Sequence, residues 1–167
     1  MKYGHRKWVG LGMNNKVSLS MTEILHAANA GIYRVVENIK LGRGTSHGLQ
    51  AGNEWQLHIE GALAECALAK FLNVYWEGKG KFNGVDVGNV DARSTRYDNG
   101  SLIIHPSDDD NRKYYLLTGF DGNYIVRGWI WGRDAKNQIY WTDPTGKNRP
   151  AYFIPQNKLN GVNQYDS

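Results

Sequence analysis

The order of its periodicities is what most constrains the fold of this 167-residue chain. Up to about residue 73, apolar residues recur every three or four positions, whereas from about residue 82 the chain has alternating β-branched and aromatic segments. Helices followed by strands predict an α+β fold, with N-terminal helices packed on a mixed, largely antiparallel β sheet. The sequence has no internal repeat and no linker-like segment, so we expect residues 1–167 to form a single domain.

The first predicted helix spans about 21–40. Ser20 and Glu23 have the spacing of a capping box, in which each side chain binds a backbone N–H at the start of a helix. Before it, residues 1–16 lack periodicity and predict an irregular arm. The apolar positions that we expect on the buried face are Ile24, Leu25, Ala28, Ile32, Val35, Val36 and Ile39.

The second predicted helix spans about 53–73, with Asn53 and Gln56 as its expected cap. Its predicted buried stripe includes Leu57, Ala62, Leu68, Ala69 and Leu72. Glu65 falls on this stripe, and a carboxylate on an apolar face is costly unless it is paired, protonated or bound to a cation. We expect the neighbouring Cys66 to be a core residue.

Turn residues divide the second half of the chain into short segments. The turn signals are Gly88-Asn89, Asn99-Gly100, Asp121-Gly122 and Asp143-Pro144 with Gly146. The strands are predicted at about 84–87, 89–96, 101–105, 113–119, 123–132, 138–142 and 151–155.

Acidic residues flank the first of these turns. A strand that folds back at 88–89 lets Asp86 face Asp91, and Arg93, two positions later, projects from the same strand face as Asp91. Two carboxylates this close repel each other unless a cation lies between them. With Glu65 from the helix beneath, they predict an all-oxygen site for Mg²⁺ or Mn²⁺, metals that promote phosphodiester hydrolysis.

Structural roles for the same residues stay open. Asp86 could be a turn residue, and Asp91 with Arg93 could form a surface ion pair worth about 0–1 kcal/mol. Glu65 could instead pair with Arg93 as a buried structural ion pair. For the acidic run at 108–110 we favour a solvated turn, with approach to a metal as the alternative.

The acidic motifs resemble those of the PD-(D/E)xK nuclease superfamily. The segment GALAE, ending at Glu65, resembles the helix motif of that family, and Asp86 resembles its central aspartate. The segment DAR, from Asp91 to Arg93, resembles the last motif, with arginine in place of lysine. The wider pattern over about 55–135 is similar to small phage-encoded members of the superfamily.

The resemblance implies a restriction-endonuclease-like core and Mg²⁺- or Mn²⁺-dependent cleavage of DNA. Glu65, Asp86 and Asp91 would bind the metal, and these three residues with Arg93 would form the catalytic set. An arginine does not release a proton near neutral pH, so the role of Arg93 would be electrostatic. The same substitution motivates an alternative, a catalytically inactive protein of this fold that binds nucleic acid or a host protein.

Charge and composition bear on partners and location. The net charge of +4 and the pI of about 9.1 mildly favour a polyanionic partner. The resemblance implies that this partner is nucleic acid, with DNA ahead of RNA. The single cysteine excludes an internal disulfide and is typical of a reducing cytoplasm, that of a bacterial host for a phage protein. No run of about 18 apolar residues occurs, so we expect no membrane span. The candidate residues for nucleic-acid binding are Arg43, His47, His58, Arg112, Lys113 and Arg133.

Overall fold

The computed structural model describes residues 15–43, 53–78 and 86–162. Two long helices, α1 (Met21–Lys40) and α2 (Glu54–Leu72), precede most of the strands, as the sequence predicts, and the fold is α+β. The remaining elements are β1 (Lys16–Ser18), β2 (Val90–Thr95), β3 (Leu102–Ile104), β4 (Lys113–Phe120), β5 (Asn123–Trp131), α3 (Gly132–Ala135), β6 (Trp141–Thr142) and β7 (Ala151–Ile154).

The start of α1 has the predicted capping box. The Glu23 N–H donates to Ser20 Oγ at 3.3 Å, and the Ser20 N–H donates to Glu23 Oε2 at 2.6 Å. These bonds satisfy backbone donors that have no partner within the helix. The predicted bounds of 21–40 are confirmed.

The buried face of α1 differs from the prediction. Of the predicted positions, Val35 is buried, together with Ala27 and Gly31. Four others are exposed: Leu25, Ile32, Val36 and Ile39. The reason is the close approach of α2, since a Cβ atom at Gly31 would lie 2.6 Å from the Ile59 Cα atom. The helices therefore meet along small residues, and the large apolar residues of α1 lie to one side of the contact.

Helix α2 is buried on nearly all sides, because α1 covers one side and the strands β1, β2, β4 and β5 contact the other. Its buried residues run without a break from 62 to 69 and include the predicted Ala62, Leu68 and Ala69. Leu57 is 45% exposed, so its predicted burial is wrong; it lies in the first turn, outside this stretch. Asn53 is the N-cap residue, but its side chain makes no capping bond.

The strands form two sheets where the sequence predicts one. The larger has the order β1-β5-β4-β2, with β2 and β4 parallel and the other pairs antiparallel. The smaller is antiparallel with the order β3-β7-β6. Strand β4 is buried on both faces: Tyr115 and Leu117 belong to the core shared with α2, whereas Tyr114 and Leu116 pack with residues of the smaller sheet.

Two predicted strands are shorter in the structure. Of the strand at 84–87, the described part contributes a single bridge between Val87 and Val90. Of the strand at 138–142, the first three residues form a 3₁₀ turn, because the Asn137 side chain accepts the Ile139 N–H at 3.1 Å and starts a turn instead of an extended segment. The turn at Asp121 and Gly122 is confirmed by their φ values of 52° and 86°.

Some predictions fall on residues outside the described ranges. The arm over 1–16 lies there except for Asn15 and Lys16, and Lys16 is the first residue of β1. Most of the loop between the two helices, with His47, also lies outside them. Within the described ranges, no helix combines the length and the apolar character needed to cross a membrane.

Candidate functional site

Glu65 is held by an arginine from the neighbouring helix. Its side chain lies on the buried face of α2, as predicted, and the residue is 6% exposed. Nη1 and Nη2 of Arg34 on α1 donate to its two oxygens at 2.7 and 2.6 Å, and Trp76 Nε1 donates to Oε2 at 3.3 Å. Such a two-bond arrangement is the strong geometry for a guanidinium and a carboxylate. The alternative that Glu65 pairs with Arg93 is therefore wrong.

Asp86 and Asp91 are joined across a tight turn. Val87 and Val90 exchange backbone hydrogen bonds of 3.0 and 2.8 Å, which closes the turn. Asp91 Oδ1 accepts the Asp86 N–H at 3.0 Å, and Asp86 Oδ2 accepts the Ala92 N–H at 3.3 Å. The prediction that Asp86 faces Asp91 across the turn is confirmed, and the backbone fixes both side chains.

The pKa of the Asp86 carboxyl is raised to about 7. Burial is the largest cause, followed by the negative charges of Glu65 and Asp91, while Arg93 and the Ala92 N–H act in the opposite direction. A carboxyl with this pKa changes its charge near neutral pH. A cation placed beside it would favour the charged form.

Asp91 has its own cation. It is 5% exposed, and Arg112 Nη1 donates to its Oδ2 at 2.9 Å. Arg112 lies just before β4. Because β2 and β4 are parallel and Asp91 is paired with Tyr114, Arg112 lies close to Asp91. Although burial disfavours the charged guanidinium, the bond to Asp91 outweighs it and raises the pKa of Arg112. This candidate for DNA contact thus already binds a carboxylate.

Arg93 binds the acidic loop between β3 and β4. Its Nη2 lies 3.1 Å from Asp108 Oδ1, and its guanidinium lies 5.1 Å from the centre of the Tyr114 ring. Asp108 Oδ2 also accepts the His105 N–H at 2.8 Å. The prediction of a solvated turn is wrong for Asp108, because its carboxylate binds both the loop backbone and Arg93. A surface pair of Asp91 with Arg93 is excluded, since Asp91 is buried against another arginine.

The sheet separates Glu65 from the strand residues. Asp91 and Arg93 project from the face of β2 that carries Tyr114 on the adjacent strand, which is the face turned toward the smaller sheet. Glu65 belongs to α2, which packs on the opposite face. Asp86 lies across the tight turn that precedes β2, where the charges of Glu65, Asp91 and Arg93 all act on its carboxyl.

The three predicted metal ligands do not fit a metal ion equally well. In the ranges that the structure describes, no set of three or more His, Cys, Asp or Glu side chains is arranged to hold a metal ion. Asp86 and Asp91 are adjacent carboxylates, and Mg²⁺ often takes one or two carboxylates and keeps several waters. Asp86 is the freer ligand, since it accepts through Oδ2 alone, whereas both oxygens of Asp91 already accept, from the Asp86 N–H and from Arg112, and would bind a metal through their remaining lone pairs. Glu65 does not fit as a third ligand in this conformation, because both of its oxygens accept from Arg34.

The other candidates for DNA contact lie on several elements. Lys113 Nζ is 4.4 Å from the centre of the Trp129 ring, and both Lys113 and Arg133 lie against the Trp131 ring, at 5.4 and 4.9 Å. Arg43 is exposed just beyond the end of α1, and His58 is half-buried on α2. The structure thus brings Lys113 and Arg133 together around Trp131.

Arg34 and Trp76 are the main residues that sequence reasoning missed. Arg34 lies three positions after Gly31 and one before Val35, next to the face of α1 that contacts α2. The sequence signal for this contact was the pair of small residues Ala27 and Gly31, four positions apart. Such a pair indicates the helix face that a second helix can approach closely. A cation beside that face is complementary to the buried acid of α2.

Cys66 is a core residue, as predicted. It is buried, and desolvation is the largest cause that raises the pKa of its thiol to about 11. A thiol with such a pKa stays protonated at neutral pH and is a poor nucleophile. The chemistry of the site therefore depends on carboxylates and guanidinium groups.

A comparison of the chain with protein-family models, with curated proteins and with solved structures finds no match. The resemblance to PD-(D/E)xK nucleases thus stays a prediction from the motifs.

Proposed function

We propose that this protein is a metal-dependent nuclease that hydrolyses phosphodiester bonds in DNA, on a restriction-endonuclease-like core. The observation that carries the proposal is the turn at 86–91. It fixes the half-buried carboxylate of Asp86 next to the buried carboxylate of Asp91, and the pKa of Asp86 is raised to about 7. A divalent cation relieves this arrangement, because it stabilises the charged form of Asp86 and offsets the repulsion between Asp86 and Asp91.

In this proposal Asp86 and Asp91 hold Mg²⁺ or Mn²⁺. Such an ion supplies a positive charge at the phosphate and activates water for attack on phosphorus. Asp91 Oδ1 already accepts the Asp86 N–H, and this bond sets the angle between the two carboxylates. Glu65 is not a ligand in this proposal, because it lies on the other side of the sheet and both of its oxygens bind Arg34. Its negative charge acts on Asp86.

Arg93 supplies a fixed positive charge beside the two carboxylates. A guanidinium stays protonated at every physiological pH and binds phosphate oxygens through two parallel N–H donors. Because Arg93 projects from the same strand face as Asp91, a phosphate bound there lies next to the carboxylate pair. We assign it the role of orienting the phosphate and stabilising its charge.

A second candidate is a non-catalytic protein of the same fold that binds nucleic acid or a host protein. The observation that favours it is the pairing of Glu65 with Arg34 and of Asp91 with Arg112. Guanidinium groups there neutralise two of the three carboxylates without a metal. A protein that has lost cleavage could keep this fold and its binding surface, because these carboxylates are neutralised without a metal.

Titration calorimetry with MnCl₂ and MgCl₂, together with a plasmid-nicking assay, tests the proposal. The variants are Asp86→Asn and Asp91→Asn, and the matched control is Asp98→Asn, an acid whose side chain is 89% exposed. We expect the unmodified protein and the control to bind Mn²⁺ and nick DNA alike. Each of the two site variants should lose at least about tenfold in metal affinity and in nicking rate.

Two results would contradict the nuclease assignment. One is equal nicking by the unmodified protein and Asp91→Asn, which would trace the activity to a contaminant or to another site. The other is DNA binding with no uptake of either metal, which would favour the non-catalytic candidate. Urea unfolding of every variant shows that the comparison is made between folded proteins.

A further inference from the structure

A cavity of about 770 Å³ opens beside β2, next to the smaller sheet and the loop that carries Asp108. Its size is in the range of cavities that hold small organic ligands. The lining residues that matter here are Arg93, Ser94, Tyr97, Ser101, Leu116 and Phe153. The cavity therefore combines a cation, hydroxyl groups and flat apolar surfaces in one place.

Arg93 supplies the charge of the cavity. A guanidinium has five N–H donors, and the ion pair to Asp108 uses one nitrogen, Nη2. Nε of Arg93 is buried and has no acceptor among the residues that the structure describes. Buried donors nearly always have an acceptor, so this guanidinium is short of hydrogen-bond partners. An anion with several oxygens, such as a phosphate, would supply acceptors to the terminal nitrogens of Arg93, and it reaches the buried Nε only if the side chain shifts toward the cavity.

The walls suit a nucleobase. Tyr97 lines the cavity and is 75% exposed, and Phe153 lies opposite Ile103 in the pairing of β3 with β7. Aromatic side chains stack on bases of any type, because every base has a π face. The hydroxyl of Ser101 can donate to or accept from the edge of a base or sugar.

The position of the cavity connects it to the carboxylates. Arg93 and Asp91 lie two residues apart on one face of β2, a separation of roughly 7 Å along the strand. A strand of nucleic acid with one phosphate on Arg93 therefore places a neighbouring phosphodiester group close to Asp91. The base of the nucleotide at Arg93 would have to leave a duplex in order to enter the cavity.

We propose that this cavity binds one unpaired nucleotide, with its phosphate on Arg93 and its base against Tyr97 and Phe153. This inference rests on the proposed function for its assignment of DNA, and it specifies the substrate as a single strand or a frayed end. The ion pair with Asp108 holds Arg93 in place at the mouth of the cavity. When a phosphate binds, some of the guanidinium N–H donors turn from Asp108 to the phosphate oxygens.

Binding of thymidine 5′-monophosphate in the presence of EDTA tests the inference without any metal chemistry. Titration calorimetry is done on the unmodified protein, Arg93→Gln and Tyr97→Ala. The controls are Tyr75→Ala, which removes an 85% exposed tyrosine outside the cavity, and Lys40→Gln, which removes an exposed cation at the end of α1. We expect affinity to fall about five- to hundredfold in the two cavity variants and to stay unchanged in the controls.

The outcomes separate this inference from the nuclease proposal. Tyr97 is exposed, so Tyr97→Ala keeps the test valid even if Arg93→Gln unfolds the protein. Nucleotide binding with the expected losses, in a protein that takes up no metal and cuts no DNA, supports the cavity and overturns the nuclease. Active nicking together with unchanged nucleotide binding in Tyr97→Ala overturns the cavity and leaves the nuclease standing. Equal affinity for inorganic phosphate and the nucleotide also overturns it, since the base would then add nothing.

Discussion

The buried carboxylate of Glu65 and the half-buried carboxylate of Asp86 lie in the same part of the protein, and they differ in what neutralises them. Glu65, between the two helices, has both oxygens bound by Arg34 and a third bond from Trp76. Asp86, in the turn before β2, accepts one backbone N–H, and no cation of the described residues forms an ion pair with it.

The difference teaches which acid is structural and which is available to a ligand. Arg34 is preset against Glu65 by the packing of two long helices, so that pair forms as part of the fold. Asp86 is left with the charges of Glu65 and Asp91 beside it, and its pKa is raised to about 7. The charge that the fold leaves uncompensated is therefore concentrated on Asp86.

Removing the cation of the helix pair should give the largest effect. Arg34→Met leaves Glu65 as a buried charge without its guanidinium, which typically costs about 3–5 kcal/mol. We expect the free energy of unfolding at pH 7, measured in urea, to fall by that amount.

Two further variants make the Arg34 result interpretable. The double variant Arg34→Met, Glu65→Leu removes both charges and should recover much of the loss, because buried ion pairs can often be replaced by apolar residues. Lys70→Met breaks an ion pair to Glu23 whose side chains are 43% and 34% exposed, and should cost about 0–1 kcal/mol. If Arg34→Met costs no more than Lys70→Met, the pair does not hold the helices together.

The pH dependence of stability should report on the ionisation of Asp86. The pKa of Asp86 is about 7 in the folded protein against an ordinary value of 3.8, so the folded state favours the protonated form. Its contribution to stability is fully present below about pH 3.8 and is lost as the pH rises through 7. The shift corresponds to at most about 4 kcal/mol, since one pKa unit is worth about 1.4 kcal/mol.

Urea unfolding of the unmodified protein and Asp86→Asn from pH 5 to 8 measures this contribution. The asparagine cannot ionise, so its stability relative to the unmodified protein should rise across the range. Added Mg²⁺ should stabilise the unmodified protein at pH 8 and not the variant, because a ligand that binds the folded state stabilises it. A difference between the two proteins that does not change with pH would show that Asp86 is already ionised at pH 5.

The sequence predicts the local features of this comparison and misses the long-range ones. The capping box at Ser20, the burial of Glu65 and the approach of Asp86 to Asp91 all depend on residues a few positions apart, where periodicity and turn chemistry decide the geometry. The pair of Arg34 with Glu65 joins residues 31 positions apart, and it depends on how far two helices have rolled about their axes.

The division into two sheets is missed for the same reason. Alternation in β3 and β7 predicts strands but does not say which strands pair. The parallel pairing of β2 with β4 is what places Arg112 beside Asp91, and parallel partners cannot be inferred from a turn between them. The three acids could therefore be predicted from the sequence. Arg34 and Arg112, which neutralise two of them, could not.

The smallest expected effects come from two glycines on either side of the helix contact. Gly31→Ala places a Cβ atom 2.6 Å from the Ile59 Cα atom, so α1 must move away from α2 and weaken the contact of Arg34 with Glu65. We expect a loss of about 1–3 kcal/mol in the free energy of unfolding.

Gly61→Ala is the matched control on α2, because a Cβ atom at Gly61 has no neighbour within 4 Å. It should stabilise the protein by roughly 0.5–1 kcal/mol through helix propensity alone. Combined with Arg34→Met, Gly31→Ala should cost less than it does alone, since the pair that it disturbs is already gone. Strict additivity of the two losses would mean that the close approach at Gly31 serves packing and not the orientation of Arg34.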